Sequence, residues 1–225
     1  MFEIYFPYNF SVIPQFFSRF IFAAWMTMQI TTLGIVLGLI LGLVIALMRI
    51  SPIKILNAPA KAYIWAIRGT PLLLQLLIIY NGMAPIMRIE RYPAAVIALG
   101  IHNAAYLAEI FRGAIQSIDR GQREAAMSLG MTSWQAMKRI ILPQAFKRAV
   151  PPLGNQFIIA LKDSSLASVI AVPELLSRAR QFGSSNFLYM EMLVIAGIYY
   201  LIMTSVLTVV VNHVEERLRV SEYRA

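Results

Sequence analysis

The sequence predicts an all-α integral membrane protein built on five transmembrane helices. Of its 225 residues 59% are hydrophobic and only 14% charged, against roughly a quarter charged in a soluble domain. Uncharged runs recur that can cross a hydrocarbon core about 30 Å thick as helices rising about 1.5 Å per residue. Lysine and arginine crowd into alternate connections, the bias that orients helices in a bilayer.

Residues 1–19 are aromatic-rich and nearly uncharged, and read as an outer interfacial segment with Tyr5, Phe6 and Tyr8 at headgroup level. No basic stretch opens the segment, and the apolar run that follows is too long for a signal peptide. That run, 20–48, is the first span. It carries Gly34, Gly38 and Gly42 at every fourth position, a face along which another helix backbone can approach closely. Residues 49–69 read as a basic inner connection ending in Arg68-Gly69-Thr70-Pro71. Thr70 as N-cap and Pro71 at the first helical position open the second span, 70–87. Arg68 is then a positive anchor at the inner interface or a group near a translocation path.

The third span, 93–110, has a polar face: His102, Tyr106 and Glu109 recur at helical spacing with Asn103 beside them. Polar groups inside a membrane are costly and usually face a bundle interior or a cavity. Hydrogen bonding between helices by His102 and Asn103 is the structural alternative. Glu109 and Arg112, three apart, suit an ion pair. The fourth span, 149–172, begins near Pro151-Pro152, where a bend or break is expected. Lys162 and Asp163 fall well inside it. Adjacent helical residues do not face each other, so each needs a partner elsewhere or a wet cavity; Gln156 shares the face of Asp163. The pair is a substrate-path candidate or a clamp between helices. Residues 173–191 form an outer connection, 192–213 the fifth span and 217–225 a charged tail.

Thirteen lysines and arginines fall on one set of connections, against five (Arg19, Arg88, Arg91, Arg178 and Arg180) on the other. The amino terminus is therefore expected outside and the carboxyl terminus in the cytoplasm. The net charge of +9 then reads as anchoring to anionic membrane lipid, not as nucleic-acid binding. The absence of cysteine excludes disulfides and thiolate chemistry.

The longest polar stretch, 117–148, lands in the cytoplasm on this topology. Asp119 with Gln122 and Thr132 with Gln135 each read as an N-cap with its N3 partner. Gly130 suits the left-handed residue that closes a helix, and Pro143 a stop or kink. Two short helices meeting at a glycine corner form a docking element. Glu124-Ala125-Ala126, Gly130, Ile140 and Leu142-Pro143 resemble, in identity and spacing, the EAA loop of ABC-importer permease subunits. Arg68-Gly69-Thr70-Pro71-Leu72-Leu73-Leu74-Gln75-Leu76, the segment from Ala105 to Ile115, and that from Asn155 through Lys162-Asp163-Ser164-Ser165 resemble permeases for polar amino acids.

The resemblance implies a type I importer fold in a bacterial inner membrane, paired with a second permease subunit, identical or homologous. It also implies two ATPase subunits holding ATP and Mg inside, and an extracytoplasmic solute-binding protein. It assigns ATPase coupling to Glu124, Ala125, Ala126, Gly130, Leu142 and Pro143. The substrate path would draw on Lys162, Asp163, Gln156, His102, Asn103, Tyr106, Glu109 and Arg68, for a cystine-like, glutamine-like or basic amino acid. The chain carries no GxxxxGK[ST] phosphate loop and no HExxH, so it is not expected to be an enzyme or hold a metal. A Ser–Lys dyad at Ser164 or Ser165 with Lys162 is disfavoured, because Asp163 would keep the lysine charged. A self-contained secondary transporter or channel remains the alternative; it would show an inverted internal repeat, and none is evident.

Overall fold

The computed structural model describes residues 8–219, and these are helical and turn structure with no strand among them. A short helix α1 (Ile13–Phe17) leads into α2 (Ile21–Ile50), α3 (Lys54–Arg68) and α4 (Leu72–Leu77), the last extended by a π turn over Ile78–Gly82. Then come α5 (Arg91–Gln116), α6 (Arg120–Ser128), α7 (Ser133–Ala136), α8 (Leu142–Asp163), α9 (Leu175–Asn186) and α10 (Tyr189–Arg219). Of the expected headgroup aromatics, Tyr8 is exposed; Tyr5 and Phe6 lie outside the described residues.

The centre of the molecule is α2 against α5. Gly34, Gly38 and Gly42 all face α5, so the fourfold glycine spacing serves close packing, as small residues do between membrane helices. Ile30, Ile35, Leu99 and Leu107 fill the seam with the alanines of α5 and with Leu72, Leu76 and Ile79 of the α4 segment. A second core, Phe20, Leu175, Ala179, Met192 and Ile195, joins the start of α2 to α9 and α10.

Among the described residues three stretches are long and apolar enough to cross a membrane: Phe10–Ile50, Arg91–Gln116 and Tyr189–Leu218. A fourth follows if α3 and α4, bent 103° to each other, make one broken span. Here the structure corrects the sequence reading. Residues 49–69, read as a basic inner connection, are largely helical. Most of them form α3, whose Ala60 and Ile64 are buried, Ile64 in a cluster with Ala46 and Ala108. Lys54, Lys61 and Arg68 of this helix are themselves exposed. The segment 70–87 is helical only from Leu72 to Gly82, and Pro71, not Thr70, is the residue before its first turn.

At the prolines the expected stop and break are absent. The chain stays helical through Pro143: a π turn over Met137–Ile141 runs directly into α8. Proline has no N–H to offer the ladder, and the wider turn is where the ladder steps past it. Pro151 and Pro152 lie inside the continuous α8. The break comes later, where α8 gives way at Ser164 to a 3-10 helix, Ser164–Ile170, ended by left-handed Ala171.

Candidate transport site and docking loop

Helix α3 stops with its last carbonyls needing donors, as every helix end does. Gly69 N–H takes the Trp65 carbonyl at 3.0 Å, and the Thr70 hydroxyl donates to the Ala66 carbonyl at 2.8 Å. Gln75, one turn into α4 and buried, reaches back to the same end. Its Nε2 lies 2.9 Å from the Ile67 carbonyl, 3.2 Å from the Thr70 carbonyl and 2.9 Å from Thr70 Oγ1. Its Oε1 lies 3.1 Å from His102 Nδ1. Because the amide nitrogen faces three oxygens, the amide oxygen must face the imidazole, so His102 Nδ1 is the donor. One turn earlier in α3, Tyr63 donates to the Ile101 carbonyl at 2.6 Å. The broken segment is thus tied to α5 at two points.

Below His102 the polar face of α5 continues. The rings of His102 and Tyr106 are 5.0 Å apart, and the Arg68 guanidinium lies 5.1 Å from the centre of the Tyr106 ring, within cation–π range. One turn on, Arg112 grips Glu109 through Nε at 3.1 and 3.0 Å and Nη2 at 2.6 Å. Arg49, from the end of α2, approaches the same carboxylate at 3.9 Å. Arg68 therefore stands against α5 beside Tyr106, level with the interior polar face and not apart from it.

Asn103 belongs to a different contact. Its Nδ2 donates to the Leu99 carbonyl at 2.8 Å, and its Oδ1 accepts from Gln156 Nε2 at 2.8 Å; both side chains are buried, and the bond joins α5 to α8. Asp163 and Lys162 separate. Half-buried Asp163 borders a narrow gap with Leu72 and Leu76 of α4 and Ala95, Ala98 and Leu99 of α5, whereas Lys162 is exposed. Neither enters an ion pair with another described residue. Gln75 and Arg49 were not singled out from sequence. Gln75 had one signal, a lone amide in the apolar run Leu72–Tyr80.

The polar segment 117–148 is built as its caps dictate. Asp119 caps α6, accepting from Gly121 N–H at 2.7 Å, but Gln122 does not return the bond; its Oε1 faces Gln144 at 3.5 Å. Gly130 has φ +83°, with its N–H to the Met127 carbonyl at 2.9 Å and the Met131 N–H to the Ala126 carbonyl at 3.1 Å, a Schellman ending. Thr132 and Gln135 form a full capping box at α7. Ala126 packs inward while Glu124 and Ala125 are exposed, as is Pro143; Leu142 is half-buried. Leu129 and Trp134 stand out at 81% and 69% exposure, apolar side chains at a polar corner.

A bundle of long apolar helices with an interior polar face, a sharply bent helix pair and a capped two-helix corner defines a membrane transport component. The chain belongs to the family of binding-protein-dependent transport system inner membrane components, whose model matches residues 34–220. It is 38% identical over 198 residues to the glutamine transport system permease protein GlnP of Escherichia coli K12, covering 87% of this chain and 90% of that one. It is 39% identical over 196 residues to the arginine transport system permease protein ArtQ of Bacillus subtilis, covering 86% and 90%. An amino acid ABC transporter solved as a crystal structure with histidines matches with TM-score 0.90 and 42% identity, over 94% of this chain and all of that one. The methionine transporter MetNI in an inward-facing conformation shares the fold, with TM-score 0.69 and 20% identity over 87% of this chain and 95% of that one.

Proposed function

We propose that the chain is the permease subunit of an ATP-driven importer for a polar amino acid. Relatives bearing glutamine and arginine transport names over nearly the whole chain support the substrate class. The observation that carries coupling is the corner at Gly130, two capped helices that hold Leu129 and Trp134 outward. Apolar side chains held in this way suit a partner's groove. Two ATPase subunits dock there from the cytoplasm and supply the energy of ATP, held with Mg on their own residues. A solute-binding protein delivers the amino acid from outside, and a second permease subunit, identical or homologous, completes the pathway.

The chain runs as five spans with its amino terminus outside and carboxyl terminus in the cytoplasm, the α3–α4 segment being one broken span. When the ATPase pair closes, α6 and α7 move as a rigid lever, and Glu124, Ala125, Ala126 and Gly130 shape the contact while the continuous Leu142–Pro143 segment passes motion into α8. The spans rock between outward and inward openings, two states whose balance the partners bias. Inside, Arg68 and Lys162 are placed for a substrate carboxylate and Asp163 for its ammonium, and Glu109 joins them only when its ion pair with Arg112 opens. His102 and Tyr106 line the face beside Arg68, whereas Asn103 and Gln156 bond to each other between α5 and α8.

The test is uptake of a radiolabelled amino-acid panel by the reconstituted complex, wild type against Asp163→Asn and Lys162→Met, with assembly and ATPase activity measured alongside. Loss of uptake with both intact is the expected result. Unchanged uptake would make the pair a clamp, and no uptake of any amino acid by the wild type would overturn the substrate class.

A further inference from the structure

We propose that Gln75 is a positioning residue, holding the broken α3–α4 segment so that Arg68 stays over the Tyr106 ring. The inference rests on the importer reading above. The break between Arg68 and Leu72 sits beside Tyr106, ten residues and about 15 Å along α5 from Gln116. At such a depth in a bilayer, carbonyls turned into the helix packing towards buried Gln75 have no water to turn to, and each unsatisfied group is costly. Local groups cannot answer the need. Pro71 has no N–H, and the Thr70 hydroxyl is occupied by the Ala66 carbonyl. Gln75 alone brings two protons to the Ile67 and Thr70 carbonyls and Thr70 Oγ1.

Its amide oxygen accepts from His102, so one side chain fixes both the end of α3 and its register on α5. Arg68 is the last residue of α3, so its guanidinium follows wherever that end goes. Tyr63 holds α3 to α5 independently, through the Ile101 carbonyl. Removing the Gln75 amide therefore frees the last turn without detaching the helix.

The test is a double-mutant cycle in proteoliposomes containing ATPase and binding protein. Gln75→Leu, Arg68→Gln and the double variant are compared for uptake of labelled glutamine or arginine, whichever the wild type carries. Uptake against the concentration of loaded binding protein gives kcat and KM, and thermal midpoints are read in detergent. Each single variant is expected to lose at least tenfold in kcat with KM and midpoint little changed, and the double to lose no more than the worse single. Losses that multiply, kcat unchanged in Gln75→Leu, or a loss tracking a fallen midpoint overturn the proposal. Should Gln75→Leu fail to assemble, Thr70→Val, which removes one acceptor of the amide, takes its place in the cycle. A smaller loss, again not additive with Arg68→Gln, is expected there, and an additive one counts against the proposal. A wild type that carries neither amino acid overturns the substrate reading instead.

Discussion

Replacing Gly130 probes the link between backbone geometry and coupling. Its φ of +83° is a conformation that side chains with a Cβ rarely adopt, yet a Cβ built there meets nothing within 4 Å. The cost of substitution within this chain is therefore backbone strain alone, about 1–2 kcal/mol for an ordinary residue. That is enough to lower the population of the intact corner roughly five- to thirtyfold relative to its unwound state. Asparagine tolerates the left-handed region best among the alternatives, and a β-branched residue least. The series Gly130→Asn, Gly130→Ala, Gly130→Val should thus lose solute transported per ATP in that order, while ATPase activity persists. The assay is paired uptake and phosphate release in the reconstituted complex. Wild-type coupling in Gly130→Val would refute the reasoning. Gly130→Asn as poor as Gly130→Val would assign the loss to bulk at the partner's surface and not to the backbone.

Other consequences can be measured on the same protein. A Cβ at Gly42 would lie 3.0 Å from the Ala104 carbonyl oxygen and 3.0 Å from Leu107 Cβ, whereas one at Gly113 meets nothing within 4 Å. Gly42→Ala should cost about 1–3 kcal/mol in mixed-micelle unfolding, and Gly113→Ala should gain about 0.5–1 kcal/mol. Equal stability of the two would show that the α2–α5 seam has slack. Thr132→Ala, which removes half of the capping box, should destabilise the α7 corner by about 1 kcal/mol, read as faster amide exchange over Ser133–Ala136. Glu174, between the 3-10 helix and α9, is fully buried. Burial pushes its carboxyl up to about 7, against the Leu176 and Ser177 N–H groups and the Tyr200 hydroxyl, which hold it down. Its folded value thus exceeds its unfolded one, so the stability it contributes is complete below about pH 4.5 and is lost as pH rises through about 7. The slope is at most about 1.4 kcal/mol per pH unit, and Glu174→Gln should flatten the melting-temperature profile across that window.

How far the sequence reached can be judged residue by residue. Caps and glycines were legible because their signals are local. Gly130, the Thr132–Gln135 box and the Asp119 cap each act within a few residues, and the Gly34, Gly38 and Gly42 face follows from 3.6 residues per turn. The prolines do not end their helices because their effect depends on what the ladder does around them: a π turn over Met137–Ile141, announced by no local signal, precedes Pro143. The basic character of 49–69 hid α3, since on an amphipathic helix lysines and a buried face coexist.

What the sequence by itself determined is the class of molecule: apolar helices, a polar face on the third span, a capped corner between spans. These rest on composition and on contacts one to four residues apart. Only the tertiary structure decided how the polar groups are shared out. Gln75 meets His102 across 27 positions and Gln156 meets Asn103 across 53, while Lys162 and Asp163, adjacent in the chain, part company. A buried amide takes the partner that the folded backbone brings within hydrogen-bond reach. That is a property of helix packing and of the 103° bend between α3 and α4, and helical periodicity alone carries no record of it.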